Sequence, residues 1–231
     1  MRFPWDRPAP LVHRPNRIAR SWTMGTALRD RDVRHALKQK LLRDHLSDPR
    51  TLVLEELGLR HGTCRVDIAI VNGQIHGYEI KSDSDTLERL PSQVEIYSRV
   101  LDQATLVVGS KHADKAISSL PEWWGIRVAT IGPRSAINFE LIRKSKRNPN
   151  IDPIAVAELL WRSEVIEILR KVGIAPNQLR QPRSNLYCLM TVVFSLTELR
   201  KIVRQRLKDR EKWRGRQPPS LNDDLLTPIP T

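Results

Sequence analysis

From residue 30 onward the chain alternates between two hydrophobic periods. Asp30 to Leu46 carries Val33, Leu37 and Leu41 at helical spacing among arginine, lysine and aspartate, which predicts an amphipathic helix. Three short runs rich in apolar and β-branched residues follow: Thr51–Leu57, Arg65–Val71 and Ile75–Ile80. Gly58 to Gly62 and Asn72-Gly73 supply turn chemistry between them, so the runs predict a three-stranded antiparallel meander. Leu87–Leu101 returns to helical spacing, with Pro91 setting its effective start. Ala104–Val108 is continuously apolar, as a buried strand is. Residues 111–120 predict a further helix and Ile126–Ile131 a further strand. The order is helix, three strands, helix, strand, helix, strand. It predicts an α/β domain over residues 26–148, with a mixed sheet between helices.

Proline marks both flanks. Residues 1–25 hold Pro4, Pro8, Pro10 and Pro15 among arginines and predict a flexible basic arm. Met24 stands just before the first periodic segment, which suggests that the arm extends upstream of the natural start. A basic joint, Arg143 to Pro153, leads into an all-helical appendage over 149–216. It reads as Ile154–Val172, a loop around Pro176 and Pro182, Leu186–Phe194, and Thr197–Arg214 with Thr197 placed to cap it. Residues 217–231, with four prolines, predict a disordered tail.

Composition narrows the class without naming a chemistry. With 231 residues, 40% of them hydrophobic and 28% charged, the chain can bury a sizeable core. No apolar run approaches the roughly 20 residues of a membrane helix, no secretory pattern opens the chain, and two cysteines cannot form a disulfide scaffold. The expectation is a cytoplasmic protein. The formal charge of +13 is uneven: residues 176–216 hold 11 cations against 3 acids, while residues 21–175 hold 23 against 20. Such asymmetry fits a polyanionic partner, most often nucleic acid, and equally a solubilising helix face.

The chemistry concentrates in Arg65 to Lys81. Glu79 and Lys81 are two apart on one strand and share a face. Asp67 joins them if the hairpin loop is Asn72-Gly73-Gln74, pairing Val71 with Ile75; a two-residue loop would pair Asp67 with Tyr78 and split the set. Two carboxylates beside an ammonium suit Mg2+ or Mn2+, with the lysine assisting the attacking water. The same spacing also describes an ion pair on an exposed strand face. His35, His45, His61 and His76 are scattered without metal-ligand spacing, and Trp123-Trp124 reads as a core edge.

Asp67, eleven residues, then Glu79-Ile80-Lys81, set in the order αβββαβ, resembles the PD-(D/E)XK nuclease superfamily with its restriction-endonuclease-like core. Arg65-Val66-Asp67, Tyr78 to Ser82 and Asp85 to Leu90 are similar to a little-characterised group of bacterial proteins within it. Val66 stands where the motif has proline. The resemblance implies a Mg2+- or Mn2+-dependent endonuclease acting on DNA. It implies Asp67, Glu79, the Ile80 carbonyl and Glu56 as metal ligands, Lys81 as the group that assists water, and Gln93 and Tyr97 as a pair beside the metal. Glu55 and Glu56 are expected on opposite faces, so that at most one joins Asp67.

The last helix has apolar residues at 199, 202, 203 and 207 and cations elsewhere. The apolar stripe reads as core. Arg200, Lys201, Arg204, Arg206, Lys208 and Arg210 read as a nucleic-acid-binding face or as solvated charge. Two hypotheses follow: a metal-dependent DNA nuclease, and a catalytically inactive nucleic-acid-binding or protein-interaction module on the same fold. A homodimer or a partner protein stays open.

Overall fold

The computed structural model describes residues 28–211. The arm expected over 1–25, the question of Met24, the last residues of the C-terminal helix and the tail expected over 217–231 lie outside the described residues.

Six strands form one sheet in sequence order: β1 (Leu52–Leu59), β2 (Cys64–Val71), β3 (Ile75–Lys81), β4 (Gln103–Gly109), β5 (Gly125–Ile131) and β6 (Ile137–Arg143). β1, β2 and β3 are antiparallel neighbours, as the turn chemistry between them requires. β3, β4 and β5 run parallel, because α3 (Leu90–Val100) and α4 (Ala113–Ser119) form the crossovers. β6 returns antiparallel to β5. The α/β class and the mixed sheet were legible; β6 was not, and it occupies residues read as the approach to a basic joint.

Two buried clusters divide the faces. On one face α1 (Asp30–Lys40) places Val33 and Leu37 against Ile68, Ile70, Ile80 and Val107. The single helix expected over Asp30 to Leu46 is broken at Leu41-Leu42, and a short α2 (Arg43–Ser47) follows. The break turns Leu42 fully into this cluster. Burying a leucine this way contributes about 2 kcal/mol, enough to offset a lost helical hydrogen bond.

The opposite face carries the larger core. Leu52, Val66, Leu106, Val108, Ile126 and Val128 meet Tyr97 of α3 and the stacked Trp124. The same cluster continues through α5 (Pro153–Ala157), α6 (Arg162–Lys171), α7 (Pro176–Leu179), α8 (Arg183–Val193) and α9 (Leu196–Glu211), ending at Leu199, Val203 and Leu207. The helix expected over Ile154–Val172 is two helices, and α7 stands in the expected loop. Ser195, rather than Thr197, caps α9: its hydroxyl accepts from the Glu198 N–H while Glu198 accepts from the Ser195 N–H at 2.9 Å.

Asp102, buried at the start of β4, ties these layers. Its carboxylate accepts from the Ile75 N–H at 2.6 Å and pairs with Arg200 of α9, while its carbonyl accepts from the Asn148 N–H at 2.8 Å. Among the described residues no helix is long and apolar enough to cross a membrane.

Candidate functional site

The site begins where β2 and β3 separate. Val71 pairs with Ile75 and the ladder runs to Ile68 opposite Tyr78, the register that the three-residue loop demands. Beyond it the Ile80 N–H donates to Asp67 Oδ2 at 2.7 Å, so a side chain takes over from the ladder. A second irregularity creates this opening. Glu56, which with Asp67 falls between the pairs Glu55–Ile68 and Leu57–Val66, has a left-handed backbone with φ 55. Leu54 and Leu57 consequently face one cluster, as do Val66 and Ala69, so both strands reverse their alternation at this step. Asp67 therefore does not share a face with Glu79 by simple alternation. It reaches sideways across the seam toward β3.

Glu79 and Lys81 do share a face, and it is a dry one. Glu79 is 2% exposed and accepts at Oε1 from Lys81 Nζ and from Gln93 Nε2, both at 2.7 Å. The Tyr97 hydroxyl lies between Glu79 Oε2 and the Arg65 carbonyl, with one proton for two acceptors. Gln93 and Tyr97 reach Glu79 together because they are four apart on α3. Gln93 Oε1 is buried with no hydrogen-bond partner among the described residues. Burial pushes the Glu79 carboxyl up from its ordinary value, and the charge of Asp67 pushes the same way against Lys81 and Tyr97. Asp67 is also raised by burial, opposed by the Ile80 N–H and Arg34. Burial beside Glu79 drives the Tyr97 hydroxyl upward, so it stays a proton donor. The loop after β3 is rigid on its own terms: Asp85 accepts from the Ser82 N–H at 2.7 Å, and Asp83 accepts from the Lys111 N–H at 3.2 Å. Gly109 is required beside it, because a Cβ there would collide with Asp83.

Arg34 of α1 was not foreseen in this site. Its Nη1 donates to the Asp67 carbonyl and its Nη2 to Asp67 Oδ1, both at 2.9 Å. The same guanidinium lies 3.4 Å from Glu56 Oε1, 4.0 Å from Glu55 Oε2 and 3.4 Å from Asp30 Oδ1. Glu55 and Glu56 thus turn to the same side, contrary to the alternation expected of them, because the left-handed Glu56 swings its side chain round. Glu55 also pairs with Lys38 at 2.5 Å. Glu56, expected as a metal ligand, lies against Arg34, and among the described residues no group of three His, Cys, Asp or Glu is placed to hold a metal ion. Ile80 meets Asp67 through its N–H. Arg34 follows Asp30 by four residues, which in sequence is indistinguishable from a helix-surface ion pair.

The basic helix spends most of its charge internally. Arg200 pairs with Asp102, and Arg206 Nη2 lies 3.0 Å from Glu167. Lys208 Nζ donates to the Arg50 carbonyl at 2.6 Å. Arg210 pairs with Glu164, donates to the Leu159 carbonyl and lies 4.0 Å over the Trp161 ring. Lys201 is exposed, and Arg204 is half-buried with its pKa lowered by burial. Of the histidines, His76 is held near Thr105 Oγ1 at 2.9 Å and stacked on Tyr78; burial lowers its pKa to about 4, so it stays neutral.

Comparison with known proteins finds no matching solved structure. Protein cII of Enterobacteria phage P4 is 26% identical over 215 residues, which cover 88% of this chain and 79% of that protein. The family model described as Bacteriophage P4 protein cII matches residues 24–217, sheet and helices together. The chain belongs to the Bacteriophage P4 protein cII family.

Proposed function

We propose that this protein is a Mg2+- or Mn2+-dependent phosphodiesterase acting on DNA, built on a restriction-endonuclease-like core of the PD-(D/E)XK type. The observation that carries the reading is the buried Lys81–Glu79 pair at 2.7 Å, facing Asp67 across the seam where β2 and β3 part. The donor chemistry fits a hard dication. The charge of Asp67 penalises that of Glu79, and a bound dication would relieve that repulsion. Asp67 and Glu79 would hold it, and it would neutralise charge on a phosphodiester and acidify a bound water.

The chain's own residues have separable tasks. Lys81, only 7% exposed at its side chain, presents a compact ammonium that orients a water or meets charge developing on phosphate. Gln93 and Tyr97 hold Glu79 in one rotamer, and the unpartnered Gln93 oxygen is an acceptor for a water at the site. Lys201 and Arg204 are the α9 cations left for phosphate contacts.

The test is single-turnover cleavage of a panel of DNA structures with Mg2+, Mn2+ or EDTA, beside metal titration. Asp67→Ala should lose both metal and cleavage. Lys81→Ala should keep metal and DNA binding and lose about a hundredfold or more in rate. Undiminished cleavage by Lys81→Ala would end this mechanism. One observation favours the other reading, an inactive nucleic-acid-binding or protein-interaction module: all four oxygens of Asp67 and Glu79 already accept hydrogen bonds within the chain. Wild type that binds DNA but neither binds metal nor cleaves any substrate would establish it.

A further inference from the structure

Resting on the nuclease reading, we propose that Arg34 is a built-in cation that keeps the metal position closed, and that it must leave Asp67 before a dication can enter. The guanidinium is 19% exposed, and its two Nη atoms grip Asp67 at once through the carbonyl and Oδ1. Four carboxylates, those of Asp30, Glu55, Glu56 and Asp67, lie within 4.0 Å of it. Four acids surround the guanidinium, and among the described residues only Glu55 has a second cation, Lys38, upon it.

Helix anchoring alone does not account for this arrangement. Val33 and Leu37 already bury α1 against the sheet. A fork that also reaches three other acids is more than α1 needs to stay docked. The oxygen it holds, Asp67 Oδ1, is the one not used by the Ile80 N–H, and so the one with more lone-pair capacity for a metal once Arg34 leaves. Two cations cannot share that oxygen, because like charges at contact distance repel strongly in a half-buried site. Release frees Asp67 Oδ1 to meet a dication. Arg34 is a positioning residue whose displacement couples the seat of α1 to the loading of the site.

The measurement is Mn2+ affinity of the full chain, by calorimetry and by loss of the free-ion electron paramagnetic resonance signal. Arg34→Gln should bind Mn2+ about tenfold more tightly than wild type, or better, since a nearby charge of this kind shifts equilibria by one or more powers of ten. Arg34→Lys, which keeps a cation but not the fork, should fall between, and it serves if Arg34→Gln melts too low to titrate. A residue that merely anchors α1 would give the reverse, a variant that binds metal equally or less well. Equal or weaker Mn2+ binding by both variants, with binding still abolished by Asp67→Ala, would overturn the inference and leave the nuclease reading standing. No Mn2+ binding by wild type or by either variant would remove both.

Discussion

The seam between β2 and β3 and the helix α9 are both dense in charge, yet they use it in opposite ways. At the seam, Glu79 pairs with Lys81 and Asp67 with Arg34 in a small volume, and the acids are held above their ordinary pKa. Along α9, Arg200, Arg206 and Arg210 each reach an acid on a different element, and so bind the last helix to the rest of the molecule. Charge that is destabilised where it stands points to chemistry; charge that joins distant segments points to architecture. A count of cations along the sequence cannot separate the two.

Breaking the architectural side should have the largest effect. Asp102→Ala strands the Ile75 N–H and the Arg200 guanidinium in the core, and should cost about 3–5 kcal/mol in urea denaturation. An unchanged midpoint would mean that α9 does not depend on this tie. The seam should answer the other way. Glu79→Gln with Lys81→Met should leave the fold as stable or raise it by about 1–4 kcal/mol, because a buried ion pair rarely outperforms well-packed neutral groups. The introduced amide would also find the unpartnered Gln93 oxygen. A large loss of stability would recast the Glu79–Lys81 pair as structural.

Titration sharpens the same contrast. The folded-state pKa of Glu79 lies above 4.5, so in the window rising from there the folded protein still holds a proton the unfolded chain has lost. Wild-type stability therefore falls as pH climbs through that window, and the advantage of the double variant Glu79→Gln with Lys81→Met should grow with it. Equal pH profiles of the two proteins between pH 4 and 8 would show that Lys81 fully offsets the burial. The smallest effect is expected at the α9 surface. Arg206→Ala should cost about 1 kcal/mol or less, its partner Glu167 being nearly exposed, and should leave the salt dependence of DNA binding alone. Removing Lys201 and Arg204 should instead flatten the log K against log salt slope by about one unit each, without moving the melting temperature.

The first five strands were legible because hydrophobic alternation and turn residues are local signals, while the hairpin register stayed open between a three- and a two-residue loop; β3 carries Glu79 and Lys81 to one face whatever else the fold does. Gln93 and Tyr97 were legible for the same reason on a helix. What escaped reading depends on distant partners or on a single torsion. Nothing in Leu54-Glu55-Glu56-Leu57 announces a left-handed residue, yet that one φ reverses the alternation of two strands and turns Glu56 to Arg34. β6 escaped because Ile137 to Arg143 is half-buried or exposed at every position, lying at a sheet edge. Arg34 and Arg210 each looked like surface cations until strands and helices 33 and 46 residues away closed on them.

The reach of α9 also sets a schedule. Lys208 contacts the Arg50 carbonyl across 158 residues, and Leu199, Val203 and Leu207 close the core that Leu52 and Val66 open. During synthesis the sheet is assembled in order, and all six strands can pair before α5 to α9 exist. The part of its larger apolar core that α5 to α9 close then waits while some 60 further residues are translated, roughly 3 to 12 seconds at ordinary elongation rates. A chain that stalls in that interval lacks Leu199, Val203 and Leu207 over its core, so the nascent protein is most exposed to aggregation when the seam that holds Glu79 and Lys81 is already complete.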